Sequence, residues 1–585
     1  MSGRRRRACD PCFQRKIKCD GEFPQCNWCK HHNLACTFNR ITGRTQSRYY
    51  ARSPSLGRIV QSRPGTNPAP TSTSHSLGSL KSPTLHECVK FFNGIYLLSD
   101  EGLEWIQRQV GEEVDSLRLS TFELPWANPH RLHDDTTMSS DILPGIPRRE
   151  IVEMYVLRYT SSFTSLVFPV ISKSLFMKTL DLAYGPRCVF GHTSANACVY
   201  SFIALVNLFG FDDNTHGPVD CGSYASAALR AVPYITEEMT VDGLQSLIIL
   251  VHLQYFLSDL QSAAVSISIA TRLLYKLGAH TNPAGANSSA HVSQYNKAIL
   301  ECHIRDLFWL CYSFDKDISL RMGQPASIND FTCDLSLPLE YVRLQNSNIQ
   351  RDDLKPDDYT LPLFPWDLRL SKIKSEAYNA LYSVNASFKS DSQILESIRY
   401  LDAALEEWRL SLNSEVRPML CFSSDTSIKG NLNTQEVILR LAYYHCVSII
   451  HQASHRCNIP CLDTGIGLEG INSSANLSTT ACRSTLSLLQ TRLPGLKGEC
   501  FWVLLFYMLT ASLALFCNIL KYPLQSESSH DVAILHEVPA LINEIPIRNL
   551  TPAEMIHLRF LNGFTTELAR LAMCAVSKAH MESSS

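Results

Sequence analysis

Beyond residue 148 apolar residues recur every three and four positions along most of the chain, the spacing that lines one face of an α-helix. Segments at about 149–164, 194–209, 241–257, 261–278, 296–320, 373–408, 433–455, 475–491, 498–520 and 552–578 carry this period. The two-residue alternation of strands is scarce, so the pattern predicts an all-α body. Residues 86–118 read as its first helical part, with Phe91, Phe92, Ile95, Leu98, Leu103 and Trp105 set among Asp100, Glu101, Glu104, Glu112 and Glu113. An acidic amphipathic stretch of that kind also has the make-up of an activation surface for coactivators. Gly323 and Pro325 predict a helix end after Leu320, and Glu301, Arg305 and Asp315 are expected to pair around helix ends.

Phe501–Leu520 holds twenty residues without a formal charge, between Glu499 and Lys521. That length suffices to cross a bilayer, but Thr510, Ser512 and Asn518 interrupt its apolarity, and a buried helix within a large helical domain is the favoured reading. From Arg40 to about Pro83 the helical period disappears and Ser, Thr, Pro, Gly and Arg dominate, as in a flexible, disordered tether. Its Arg44, Arg48, Arg52, Arg58 and Arg63 suit tracking of a phosphate backbone, and a merely soluble linker would share them. No a/d heptad is sustained between Phe38 and Leu85. Monomeric action and homodimerisation through the large domain therefore stay equally open. The expected organisation is a small module over 1–40, a basic linker over 41–85 and a helical body over 86–585.

A chain of 585 residues exceeds what one core usually organises, and 45% hydrophobic residues imply that most of it folds. The net charge of -2 conceals a division: residues 1–63 contain 14 Lys+Arg against 3 Asp+Glu, which leaves 39 against 52 for the remainder. The basic head is suited to approach a polyanion; the acidic body is not. Six of the 21 cysteines lie between Cys9 and Cys36 and the other fifteen are dispersed. With Arg4–Arg7 running straight into the first cysteine pair, a secretory leader is not expected, and a reducing nucleus or cytosol suits the chain.

The six cysteines are Cys9, Cys12, Cys19, Cys26, Cys29 and Cys36, in which offsets of 3 and 10 recur after a shift of 17. Zinc prefers four thiolates in a tetrahedron. Two ions need eight ligand positions, and six sulfurs fill them only if two are shared. Cys9 and Cys26, which open the two units, are the natural candidates, giving one ion Cys9, Cys12, Cys19 and Cys26 and the other Cys26, Cys29, Cys36 and Cys9. Ile17 and Leu34 occupy matching places and are expected to pack across the duplication, while Gly21 and Pro24 suit the turn between units. So small a module draws its folding free energy largely from the metal.

Phe13-Gln14-Arg15-Lys16-Ile17-Lys18 fills the gap between Cys12 and Cys19, and a short helix there would carry its positive charge into a major groove. The matching stretch of the second unit, Lys30-His31-His32-Asn33-Leu34-Ala35, carries far less. The first unit is expected to read bases and the second to complete the metal core. Structural zinc in a protein-interaction cofactor or corepressor that does not itself read DNA is the alternative.

Arg7-Ala8-Cys9-Asp10, the run Arg15-Lys16-Ile17-Lys18-Cys19-Asp20-Gly21, Pro24 and all six cysteines resemble the cluster of the fungal zinc binuclear-cluster transcription factors. The resemblance implies two zinc ions, a nuclear location, control of RNA polymerase II genes of a metabolic pathway or gene cluster, and recognition of a CGG triplet in double-stranded DNA. It gives Lys16 the principal base contact, with Arg15 and Lys18 reinforcing base or phosphate contacts. Arg7 belongs to the upstream run Arg4–Arg7, whose charge suits gripping phosphates or serving as a nuclear import signal. Phe13 departs from the basic residue often found after the second cysteine. In the body, Leu247-Ile248-Ile249-Leu250, Ala270 to His280, and Glu301, Arg305, Phe308-Trp309, Tyr312, Asp315, Gly323-Gln324-Pro325, Ile328, Asp330, Asp334 and Leu337-Pro338 look like the family's middle homology region, over about 150–420. Asp306 stands where an arginine is frequent. The family's body implies transcription coregulators and, in some members, a small-molecule effector.

No phosphate loop, G-x-S-x-G elbow or H-E-x-x-H pair occurs, so no enzyme is expected. His451, His455, Cys457 and Cys461 form a weaker candidate metal group, since the histidines share one helix face.

Overall fold

The computed structural model describes Cys9, Cys12, Cys19, Cys26 and Cys29 of the head and, beyond it, residues 89–92, 95–98, 100–112, 144–210, 221–281, 292–351, 353–354, 356, 360–420, 432–457, 465–493, 496, 501–545 and 552–584. Two compact units separate at residues 79 and 80. The linker expected over 41–85 lies outside the described residues.

Among the described residues the second unit is helical apart from one hairpin. β1 (Val89–Phe92) pairs antiparallel with β2 (Ile95–Leu98), Phe92 facing Ile95. Helices follow in the order α1 (Asp100–Val110), α2 (Arg149–Thr160), α3 (Phe163–Val167), α4 (Lys173–Ala183), α5 (His192–Leu208), α6 (Cys221–Arg230), α7 (Val232–Glu238), α8 (Val241–Phe256) and α9 (Leu260–Lys276). The long α10 (Val292–Met322) leads to α11 (Tyr341–Asn348), α12 (Leu368–Ala377), α13 (Asp391–Leu410), α14 (Thr434–Gln452) and α15 (Gly465–Arg492), and the unit closes with α16 (Phe501–Lys521), α17 (Ser528–Glu544) and α18 (Pro552–Ser584). Most helices pack on their sequence neighbours, and one apolar core runs from Trp105 to Ala575.

Local chemistry sets the boundaries. Thr240 and Asp259 accept from the backbone of Gly243 and Ser262, capping α8 and α9. Ser390 with Gln393, and Asn433 with Glu436, form reciprocal capping boxes at the starts of α13 and α14. As expected from the sequence, α10 stops just after Leu320, at Met322, because Gly323 takes a φ of 63° that a side chain would resist.

Two helical expectations need correction. The stretch 86–118 begins as the hairpin and turns helical only at Asp100, because Val89–Phe92 and Ile95–Leu98 are short apolar runs that favour strand pairing. The helix expected over 373–408 is four pieces: α12 passes into a π turn over Tyr378–Tyr382, then a 3-10 turn over Val384–Phe388, before α13 begins. Ser383 and Ser390, both extended, cap the following elements and break the period.

α1 is anchored to the far end of the chain. Trp105, Ile106 and Val110 are buried, Lys578 Nζ donates to the Arg108 and Gln109 carbonyls at 3.2 and 3.3 Å, and Arg570 pairs with Glu112 at 3.1 Å. The acidic stretch is thus partly built into the fold.

Phe501–Leu520 is a core helix. Every residue of α16 from Phe501 to Leu513 is buried, and Thr510 and Ser512 return their hydroxyls to the Phe506 and Met508 carbonyls at 2.8 Å.

Glu301, Arg305 and Asp315 do not pair with one another. Arg305 donates to the carbonyls of Ala279 (3.0 Å) and Asp334 and stacks over Phe308 and Trp309, Glu301 lies 3.7 Å from Lys297, and Asp315 accepts from the Ser327 and Ile328 backbone at 2.8 and 3.0 Å. Each of the three therefore has its own neighbours along α10.

Asp306, beside Arg305, is partly buried, and burial pushes its carboxyl up to about 7, against the pull of Arg305. A carboxyl raised above its ordinary value near 3.8 makes the fold lose stability as pH rises through that window, because ionisation is easier in the unfolded chain. Asp306→Asn should therefore leave the melting temperature unchanged near pH 4 and raise it progressively to pH 7, beyond which the gain levels off. A pH-independent difference in thermal melts would contradict this.

Candidate zinc and DNA site

The described cysteines of the head converge. The Sγ atoms of Cys9, Cys12, Cys19 and Cys26 lie within 4.8 Å of one another, and no other group of ligand side chains among the described residues converges in this way. Cys9 Sγ is 3.6 Å from both Cys26 Sγ and Cys29 Sγ, and Cys26 Sγ is 3.6 Å from Cys12 Sγ. Four thiolates at ~2.3 Å from a tetrahedral zinc stand ~3.8 Å apart, so the spacing fits the metal. Disulfides need sulfurs near ~2.05 Å, well short of the 3.6 Å separations here.

Each unit's opening cysteine reaches into the other: Cys9 touches Cys29 of the second, and Cys26 touches Cys12 of the first. Cys9, Cys12, Cys26 and Cys29 are fully buried and Cys19 partly so. The Cys29 backbone N–H donates to Cys26 Sγ at 3.4 Å and lowers that thiol to about 6, while burial pushes the Cys29 thiol up to about 12 and those of Cys9 and Cys12 up as well. Zinc must displace protons from the raised thiols, so its retention weakens as pH falls.

Cys36, Ile17, Leu34, Gly21, Pro24 and the four DNA-contact candidates Arg7, Arg15, Lys16 and Lys18 lie outside the described residues. The weaker metal candidate does not assemble: His451 meets Ser474 and Asp402 at 3.3 Å, His455 bonds the Gln452 carbonyl at 3.1 Å, and Cys457 faces the Asp391 carbonyl at 3.8 Å. Cys461 is outside the described residues.

Sequence reading missed a group at the centre of the body. Asp317 on α10 accepts from Lys374 on α12 at 2.5 Å and from the Tyr255 hydroxyl at 2.6 Å, and lies 2.6 Å from Arg321 Nε. All four are buried. Asp317 and Arg321, four apart on one helix, were a detectable pair; Lys374, 57 residues from Asp317, had no local signal.

Comparison with known proteins places these features. Residues 7–45 match the fungal Zn(2)-Cys(6) binuclear cluster domain and residues 213–410 the fungal specific transcription factor domain. The chain thus matches both domains of the fungal zinc binuclear-cluster regulators, and it is a DNA-binding transcription regulator whose cluster binds two zinc ions through six cysteines. It is 23% identical to an ABC-transporter-regulating transcription factor of Aspergillus oryzae, over 99% of this chain and 74% of that one. An uncharacterized transcriptional regulatory protein of Schizosaccharomyces pombe is 25% identical over 91% of this chain and 72% of its own. Over 32 residues, 6% of this chain and 4% of the relative, it is 62% identical to the transcription regulator galc of Aspergillus niger. No solved structure matches the chain.

Proposed function

We propose that the head recognises CGG-type elements in double-stranded DNA and that the body regulates RNA polymerase II genes of a metabolic pathway or gene cluster from within the nucleus. The observation that carries the reading is the cysteine convergence beside the basic run Arg15-Lys16-Ile17-Lys18, since a metal-fixed helix can present lysine donors to the acceptor edge of guanine. Lys16 makes the principal base contact, Arg15 and Lys18 support it, and Arg7 meets phosphate. Cys9 and Cys26 each bridge the two zincs, a sharing that their 3.6 Å approaches to Cys29 and Cys12 support. The working division is a cluster over 1–40, a linker over 41–85 and a regulatory body over 86–585.

The body engages coregulators and a small-molecule effector, and any homodimer forms through it rather than through a coiled coil. It works by binding, without catalysis of its own. Two Aspergillus relatives are named ABC-transporter-regulating factors, which puts transporter genes among the candidate targets. Selection of bound duplexes from a random-sequence pool by the full-length zinc-loaded protein should enrich CGG triplets. Recovery of an unenriched pool would refute base reading.

A further inference from the structure

α1 combines acidity with a single apolar face. Residues 100–113 hold Asp100, Glu101, Glu104, Glu112 and Glu113 against one base, Arg108. Leu103, Ile106 and Val110 recur at helical spacing, with Trp105 beside them. Trp105, Ile106 and Val110 are at most 5% exposed, while Glu104, Gln107 and Arg108 are exposed. α1 packs against α16 and α18, so its apolar face is covered by the body's own helices.

The polar fastening of that contact lies at the surface. Arg570, Cys574 and Lys578 recur every four residues on α18 and so share one face. Arg570 Nη1 meets Glu112 Oε2 at 3.1 Å, and Cys574 Sγ lies 3.3 Å from the same oxygen. Lys578 Nζ donates to the Arg108 and Gln109 carbonyls, where the negative end of the α1 dipole favours a cation. Arg570 gives its Nε and Nη2 to Glu567 at 2.9 and 2.7 Å, which leaves Nη1 for Glu112. The Arg570 and Glu112 side chains are 38% and 59% exposed, and exposed pairs of this kind hold weakly. Residues 111–148 separate α1 from α2, a length of chain that permits α1 to leave its groove without disturbing α2.

We propose that α1 is a coactivator-binding helix held in reserve: released from α16 and α18, it docks its apolar face into a coactivator groove with an apolar floor and a rim of lysine or arginine. The body already displays that chemistry, since the groove that holds α1 offers Arg570 and Lys578 at its edge. Trp105, Ile106 and Val110 are the anchors of a helix-in-groove contact, and five acids against one base supply the counter-charge for a basic rim. A helix of 11 residues is marginal alone. α1 therefore needs one groove or the other to hold it, and the two compete. The proposal rests on the reading that the body engages coregulators, and it names the element that does so.

The test compares full-length proteins in cells that lack the native gene and carry a reporter behind the selected DNA site, with site occupancy measured in each strain. Lys578→Glu, which sets a carboxylate against two carbonyls, should raise reporter output about fivefold at equal occupancy, the shift that follows from losing a charged donor of two hydrogen bonds. Adding Trp105→Ala should remove the gain. Hydrogen exchange of the purified Lys578→Glu protein should speed over Leu103–Val110 and stay slow over α8, which separates release of α1 from general unfolding. Lys578→Met only removes the donor; it should act in the same direction and takes the place of Lys578→Glu if that variant unfolds. Unaccelerated exchange, unchanged output with α1 released, or a gain that survives Trp105→Ala would overturn the proposal. If neither parent nor variants change transcription at occupied sites, the coregulator reading falls with it; if the parent does and the variants match it, this proposal alone falls.

Discussion

Cys26→Ser should strip both zinc ions from the head and reduce its specific DNA affinity to the non-specific level, a loss of about a thousandfold or more. A serine hydroxyl stays protonated and is no substitute for a bridging thiolate. If Cys26 is shared, its loss removes a ligand from each ion at once, and a module this small draws most of its folding free energy from the metal. Among the described residues its buried cluster is made of the cysteines themselves. The check is zinc content by mass spectrometry beside fluorescence-anisotropy binding. Retention of one ion with near-native affinity would show that Cys26 is a terminal ligand.

The second large effect is expected far from the DNA. Asp317→Asn should destabilise the body by about 3–5 kcal/mol, because it leaves Lys374 and Arg321 buried with no carboxylate between them. Both cations are desolvated, and Asp317 is held low, to about 2, by Arg321 and Lys374 against its own burial. Arg321→Met should cost much less, because it leaves one acid facing one base. Denaturant unfolding of the two variants measures the difference; equal losses would mean that packing rather than charge balance governs this centre.

What the sequence disclosed depends on how local each signal was. The cysteine spacing carries the metal chemistry within 28 residues, and the apolar period found the long helices because each buries a continuous face. The hairpin was missed although Asn93-Gly94, between two apolar runs, is a strong two-residue turn signal. Phe91, Phe92, Ile95 and Leu98 also recur at three- and four-residue spacing, which drew the whole stretch into one helical assignment. The break between α12 and α13 hides in Ser383 and Ser390, serines that read as ordinary polar positions until their hydroxyls cap the next element. Lys374 illustrates a further limit: a lysine in an amphipathic pattern reads as solvated, and only the tertiary approach of α12 to α10 gives it Asp317. The same holds for Lys578, whose partners on α1 lie at the other end of the chain.

The cluster's division of labour, with the first unit reading bases and the second supporting it, rests on Lys16. The decisive measurement is the affinity of the full-length protein and its Lys16→Ala variant for a duplex containing the selected site and for random duplex, at one fixed salt concentration. Base reading by Lys16 predicts a loss of about 1–3 kcal/mol on the specific site and a much smaller loss on random DNA. An equal loss on both would show that Lys16 contributes charge alone and would contradict the account.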